Sequence, residues 1–188
     1  MPSESEQQLC AWIAEDPWRM GCLAALAALA LPDAWIGAGF VRDLAWDRLH
    51  GFAAATPLAD VDVLIFDPQA GEAEEREIQT LLRTQGPQAP WSVRNQARMH
   101  RGNGDLPYCN TADAIGHWLE TATAVAVRLN EKGILDLLAP FGLDDLFALT
   151  VRPTPHARSR RDRLTAYRHR LGEKAWDRTW PGLRIEAG

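Results

Sequence analysis

The stretch WIGAGFVRDLAWDRLHGFAAATPLADVDVLIFD, residues 35–67, decides how this chain is read. It opens with a short apolar run that predicts a strand, and it turns through Gly37, Ala38 and Gly39. From about Phe40 it continues with Val41, Leu44, Ala45 and Leu49 at helical spacing. A linker from Gly51 to Pro57 leads into a second strand, where Asp60 and Asp62 alternate with Val61, Val63 and Ile65. Residues two apart in a strand share a face, so both carboxylates point the same way and repel. A divalent ion offsets such a pair most directly, and Mg²⁺ is usually held by one or two carboxylates together with substrate phosphates. The glycine turn supplies the other half of such a site. Without a Cβ, Gly37 and Gly39 let backbone N–H groups approach a phosphate at a helix N-terminus. Arg42 and Asp43 lie in the first turn of that helix; Arg42 either pairs with an acid such as Asp60 or reaches a triphosphate and steadies the carboxylates.

The run Ala38-Gly39-Phe40-Val41-Arg42-Asp43, followed by Asp60-Val61-Asp62, resembles the glycine-turn and Asp-x-Asp signature of the DNA polymerase β nucleotidyltransferase superfamily. Its spelling looks most like the tRNA nucleotidyltransferase and poly(A) polymerase branch. VRNQARMH (93–100), HWLETATAVAVRL (117–129) and APFGLDDLF (139–147) are similar to a small bacterial family of nucleotidyltransferase-like proteins. The resemblance implies an α+β fold, a central mixed sheet packed by helices. It also implies transfer of a nucleoside monophosphate from a nucleoside triphosphate to a hydroxyl acceptor, with release of pyrophosphate. Asp60 and Asp62 then hold Mg²⁺ or Mn²⁺, the turn Gly37, Ala38, Gly39 cradles phosphates, and Arg42 with Arg94 or Arg98 offsets negative charge. The acceptor is not identified by any motif.

Two departures from the pattern bear on catalysis. Ala38 stands where the paired-glycine turn normally begins. Superfamily enzymes commonly use a third carboxylate, in many relatives on the strand after the helix that follows Asp-x-Asp; here that strand is VRNQARMH, which contains no acid. Three readings stay open: Asp136 substitutes from a neighbouring strand, Asn95 serves as a neutral ligand, or the site is degenerate. In the last case the chain is a nucleotide- or nucleic-acid-binding module, or a structural interaction protein with an acidic surface pair.

Composition bounds the rest. At 188 residues and 46% hydrophobic, the chain is long enough for a well-buried domain, and its net charge is −5. GCLAALAALALP is too short for a membrane span, and the acidic N-terminus is unlike a signal peptide. Cys10, Cys22 and Cys109 are odd in number and lack metal-ligand spacing, so a reduced cytoplasmic compartment is expected. Residues 151–188 hold ten Lys or Arg against four Asp or Glu, while residues 1–150 hold ten against twenty-one. The expected organisation is a domain over 1–150, including N-terminal helices over 1–31, and a basic helical extension over 151–188 that begins at Arg152-Pro153-Thr154-Pro155.

Helices are predicted before and after Asp16-Pro17, with Trp18, Cys22, Leu26 and Leu29 on one face. GEAEEREIQTLLRTQG predicts an exposed helix stopped by Gly86. A strand is predicted over 91–100, with Val93, Asn95, Ala97 and Met99 on one face and Arg94, Gln96, Arg98 and His100 on the other. That polar face either lines the cleft of Asp60 and Asp62 or is solvated. RGNGDLPYCN reads as a glycine-rich loop. TATAVAVRL and GILDLLAPF predict a hairpin deep in the sheet, in which a carboxylate at Asp136 is costly unless paired or metal-bound. Asp144 and Asp145 read as the cap and first-turn residues of a short helix. In the tail, Leu164, Tyr167, Leu171 and Ala175 form a docking face with Trp176 and Trp180 at its end. Its arginines either pack on the acidic body or contact RNA, DNA or a phosphate-rich substrate.

Overall fold

The computed structural model describes residues 2–188. Two helices open the chain, α1 (Glu4–Ala14) and α2 (Pro17–Ala27). Asp16 caps α2 by accepting the Arg19 amide, and Pro17 fills its first turn, as the sequence predicts. Arg19 is turned inward beside Cys22, Leu23 and Leu26, with its Nε donating to the Phe40 carbonyl at 2.9 Å.

The sheet is built from β1 (Ala34–Gly37), β2 (Val61–Ile65), β3 (Trp91–Asn95), β4 (Ala126–Leu129) and β5 (Leu135–Leu138) in the order β3-β2-β1-β4-β5. It is mixed: β2 and β3 run parallel, and the other neighbours are antiparallel. Between the first strands lie α3 (Gly39–Leu49) and α4 (Glu72–Gln85). Ile36, Val61, Val63, Ile65, Val93 and Val127 alternate onto one sheet face and join Leu9, Leu23, Phe40, Val41, Leu44 and Leu82 in the main core. The opposite face carries a smaller cluster of Trp35, Leu64, Ile115 and Ala126.

Three expectations are corrected. β3 ends at Asn95, and α5 (Gln96–Asn103) follows, so Arg98 and His100 leave the sheet. The reason is the buried Asn95 side chain, whose Oδ1 accepts the Ala97 amide as a helix cap while its Nδ2 donates to the carbonyls of Asp67 and Ala70. Residues 121–125 form a turn ahead of β4, and only 126–129 pair. β5 is an edge strand, half-exposed along its length rather than deep.

Beyond the sheet come α6 (Thr111–Gly116), which precedes β4, then α7 (Asp144–Phe147), β6 (Thr150–Val151), α8 (Pro155–Ser159), α9 (Arg161–Lys174), α10 (Trp176–Thr179) and β7 (Arg184–Ile185). Strand β7 pairs parallel to β6. Tyr167 is buried and donates to the carbonyls of Val151 and Glu186. Trp176 and Trp180 pack edge-on against Trp46, and the Trp180 Nε1 donates to Asp47 at 2.8 Å. Asp47 also accepts the Thr56 amide and hydroxyl, so one buried carboxylate ties the linker and the tail to α3. No helix is long and apolar enough to cross a membrane among the described residues.

Candidate active site

One register row crosses the whole sheet: Ser92, Asp62, Gly37, Ala126 and Leu138 are successive neighbours on β3, β2, β1, β4 and β5. Cross-strand neighbours share a face, so Asp62 lies on the face opposite the main core, next to a glycine. A Cβ added at Gly37 would come within 3.0 Å of both a Leu64 methyl and the Val125 carbonyl, so the position admits no side chain without displacement. Asp60 precedes the first paired residue of β2 and is exposed, while Asp62 is half-buried. Burial, and then the neighbouring Asp60 charge, push the Asp62 carboxyl up to about 6.

The chain leaves β1 through Ala38, which has φ 52° and ψ −125° and makes no side-chain cap on α3. This is a conformation that suits glycine, held by an alanine at the point where strand becomes helix. Its amide donates to the Val125 carbonyl, and its carbonyl accepts the amides of Val41 and Arg42. The amides of Gly39 and Phe40 start the helix without an intrahelical partner, as the first turn of any helix requires. They form the anion-attracting end of α3.

Arg42 is buried and fully engaged. Its Nη2 lies 2.7 Å from Asp43 Oδ1, its Nη1 donates to the Thr123 hydroxyl at 2.9 Å, and its guanidinium stacks over Trp46 and Trp176 at 4.9 and 4.4 Å. Burial pushes the Asp43 carboxyl above the usual range against the pull of Arg42. A Cβ at Gly39 would approach Asp43 Oδ2 to 3.2 Å, so the pair lies directly beneath the turn.

Sequence reasoning missed a wall supplied by α9. After Asp60, the charges acting most strongly on Asp62 are Arg170, Arg42 and Lys174, all of which pull its carboxyl down. Arg170 Nε sits 3.0 Å from the buried Glu120 carboxylate, and its guanidinium lies 5.5 Å from the Trp176 ring, against which Arg42 also stacks. The basic pattern of the tail was visible in the sequence, but no local signal connects residue 170 to residue 62.

The remaining candidates fall in different places. Arg94 is exposed on β3, beside Leu64, two rows on from Asp62 and on the same face. Arg98, on α5, is held by Glu75 at 2.9 Å and Glu72 at 3.6 Å, and Glu75 also accepts the Asn95 amide. Asn95 is committed to its cap and loop contacts. Asp136 is not brought to the pair: it lies three strands from Asp62, roughly 14 Å at ordinary strand spacing. There it pairs with Arg128 at 3.2 Å and accepts from Asn130 at 3.0 Å, which explains how its carboxylate is accommodated. The β3 neighbour of Asp62, where an acid would have stood closest, is Ser92.

Residues 24–185 match the family model described as Nucleotidyltransferase. A solution structure described as a CCA-adding enzyme head domain is 34% identical, with a TM-score of 0.86, 96% of this chain covered and 95% of that one. A CCA-adding enzyme in complex with CTP is 17% identical with a TM-score of 0.57, covering 95% of this chain and 43% of that chain. The Thermotoga maritima CCA-adding enzyme complexed with tRNA is 18% identical with a TM-score of 0.58, covering 95% and 42%. The chain therefore spans less than half of those two enzymes, and their likeness is one of fold. No curated protein matches the chain.

Proposed function

This chain belongs to the nucleotidyltransferase family, and from that premise we propose that it transfers a nucleoside monophosphate from a nucleoside triphosphate to a hydroxyl acceptor, releasing pyrophosphate. The observation that carries the reading is the pairing of Asp62 with Gly37, beside the start of α3 and one residue from Asp60. Carboxylates and phosphate-directed amides thus meet at one end of the sheet.

The donor set fits a hard divalent ion. Two carboxylate oxygens on one face, one of them in a carboxyl pushed up to about 6 by burial and its neighbour, have an unmet demand for positive charge. Asp60 and Asp62 would hold Mg²⁺ or Mn²⁺, and such an ion supplies charge neutralisation at the triphosphate and acidifies the attacking hydroxyl. The chain's own groups do the rest. Gly39 and Phe40 amides face the phosphates, and Arg170 and Lys174 lower the negative charge over the carboxylates. Arg42 braces the turn through Asp43 and Thr123. Arg94 is exposed, with its Nη1 donating to the Val93 carbonyl at 3.0 Å, and among the described residues it pairs with no carboxylate that it would have to give up to meet a phosphate from the β3 side, whereas Arg98 holds α4 to α5.

An RNA 3′ hydroxyl is the acceptor class supported by the likeness to a CCA-adding enzyme head domain and by the basic α9. The test is to incubate the protein with each α-labelled ribonucleoside triphosphate, a divalent ion and an RNA ending in a 3′ hydroxyl. Label on the RNA with matching pyrophosphate supports the reading. A second reading, a module that binds nucleotide without transferring it, is favoured by Ser92 in the place of an acid. It predicts metal-dependent binding with no label transferred to any acceptor.

A further inference from the structure

Away from the carboxylate pair, three segments distant in sequence converge on one cluster. Asp105 comes from the loop after α5, His117 from the C-terminal cap of α6, and His156 from the first turn of α8. Each is half-buried, and one ligand atom from each lies within 4.8 Å of the other two. His156 Nε2 is 3.1 Å from Asp105 Oδ1, and the two imidazole rings stand 4.4 Å apart at 63°.

The surrounding contacts orient these groups as ligands are oriented. His117 Nδ1 lies 2.8 Å from the Asp113 carbonyl, which accepts only if that nitrogen carries the proton, so in the neutral ring Nε2 is the nitrogen with the lone pair. A carbonyl acceptor behind a histidine is the usual support of a metal-ligating imidazole. Tyr108 donates its hydroxyl to Asp105 Oδ2 at 2.6 Å and is itself held by Asn103, which leaves Oδ1 directed at the histidines. His156 Nε2 is buried and makes no well-directed hydrogen bond. Ligand atoms around a tetrahedral zinc ion stand about 3.4 Å apart, from bond lengths of about 2.1 Å. The cluster is therefore within an ångström or two of that geometry.

One contact opposes a cation. Arg160 Nη1 donates to Asp105 Oδ1 at 2.5 Å, and Arg163 donates to the His117 carbonyl at 3.0 Å. Arg160 already shares its other nitrogen with exposed Asp162 at 2.6 Å, so it has a second carboxylate to retain when it gives up the first. Arg163 bonds through the carbonyl and Asn103 and does not touch the ligand atoms.

We propose that Asp105, His117 and His156 form a second metal site, for a zinc-class divalent ion, that ties α6 and α8 to the loop after α5 and exchanges with the Arg160 guanidinium. Two imidazoles and a carboxylate leave a fourth position for water, a set that suits zinc and differs from the all-oxygen pair at Asp60 and Asp62.

The experiment strips the protein with a chelator and titrates it with Zn²⁺ against a chromophoric competitor, then with Co²⁺ read by its visible absorption. One equivalent is expected, with the intense bands of a four-coordinate cobalt site and a raised melting temperature. His117→Ala and His156→Gln, checked for folding by circular dichroism, weaken binding by about a hundredfold or more. Arg160→Ala keeps every ligand and removes the competitor, so it binds Zn²⁺ more tightly than wild type. The double variant Asp60→Ala/Asp62→Ala binds it unchanged. Absence of stoichiometric binding, binding indifferent to both histidines, weaker binding in Arg160→Ala, or loss in the Asp60/Asp62 variant would each overturn the site.

Discussion

Asp62 stands directly opposite Gly37 across the antiparallel pair β1 and β2, and the space that a side chain at residue 37 would need is already held by a Leu64 methyl and the Val125 carbonyl. The same glycine ends the strand that turns into α3, and this places a carboxylate and a helix N-terminus within a residue or two of each other.

Gly37→Ala is expected to disturb both. The new methyl would meet the Leu64 side chain and the Val125 carbonyl at 3.0 Å, and overpacking of this kind costs about 1–3 kcal/mol. Chemical denaturation should show that loss, and triphosphate binding should weaken with it.

Ala38→Gly goes the other way. Relieving a positive φ on an alanine should stabilise the protein by about 1 kcal/mol, read as a higher denaturation midpoint, while nucleotide binding is retained.

Asp62→Asn should separate stability from function. The Asp62 carboxyl is raised from 3.8 to about 6 in the folded protein, so the folded state holds a proton that the unfolded chain has shed between those values. Stability of the metal-free protein therefore falls as pH rises from about 4 through about 6, by at most about 3 kcal/mol. The asparagine variant loses that dependence. Melting curves at pH 4 and pH 8 should show it more stable than wild type at the higher pH, and it should be unable to bind a metal-dependent triphosphate.

The α9 wall is tested by Lys174→Ala and Arg170→Ala together. Lys174 is exposed, so its loss should leave stability within about 0.5 kcal/mol and weaken triphosphate binding by up to about fivefold. Arg170→Ala also strips the buried Glu120 of its ion pair and should destabilise by about 3 kcal/mol. Calorimetry and denaturation on both variants distinguish the two roles.

Asp136→Asn should change little. Its pair with Arg128 is one-third exposed on both sides and worth about 1 kcal/mol or less, and it lies three strands from Asp62. Unaltered metal-dependent binding in this variant would keep Asp136 outside the site.

What was legible followed local rules. Alternation around Asp60 and Asp62, the glycines at the turn, and the Asp16-Pro17 break all depend on period-two or first-turn chemistry carried by adjacent residues. What was not legible depended on distant partners. β3 stops at Asn95 because Asp67 and Ala70 engage its side chain from 28 and 25 residues away. β5 looked buried because its residues are apolar on both faces, yet it forms the edge of the sheet. Arg170 reads as one of many tail arginines until α9 is laid beside Glu120 and Asp62. Asp105, His117 and His156 share no metal-ligand spacing, and only the fold brings them together.

The measurement that tests the central claim most directly is a Mg²⁺ and Mn²⁺ titration of the protein against each of the four labelled ribonucleoside triphosphates, with Asp60→Ala/Asp62→Ala alongside. The account predicts binding that needs the metal and vanishes in the double variant while the fold is kept. Binding that persists without metal, or that survives loss of both carboxylates, would contradict it.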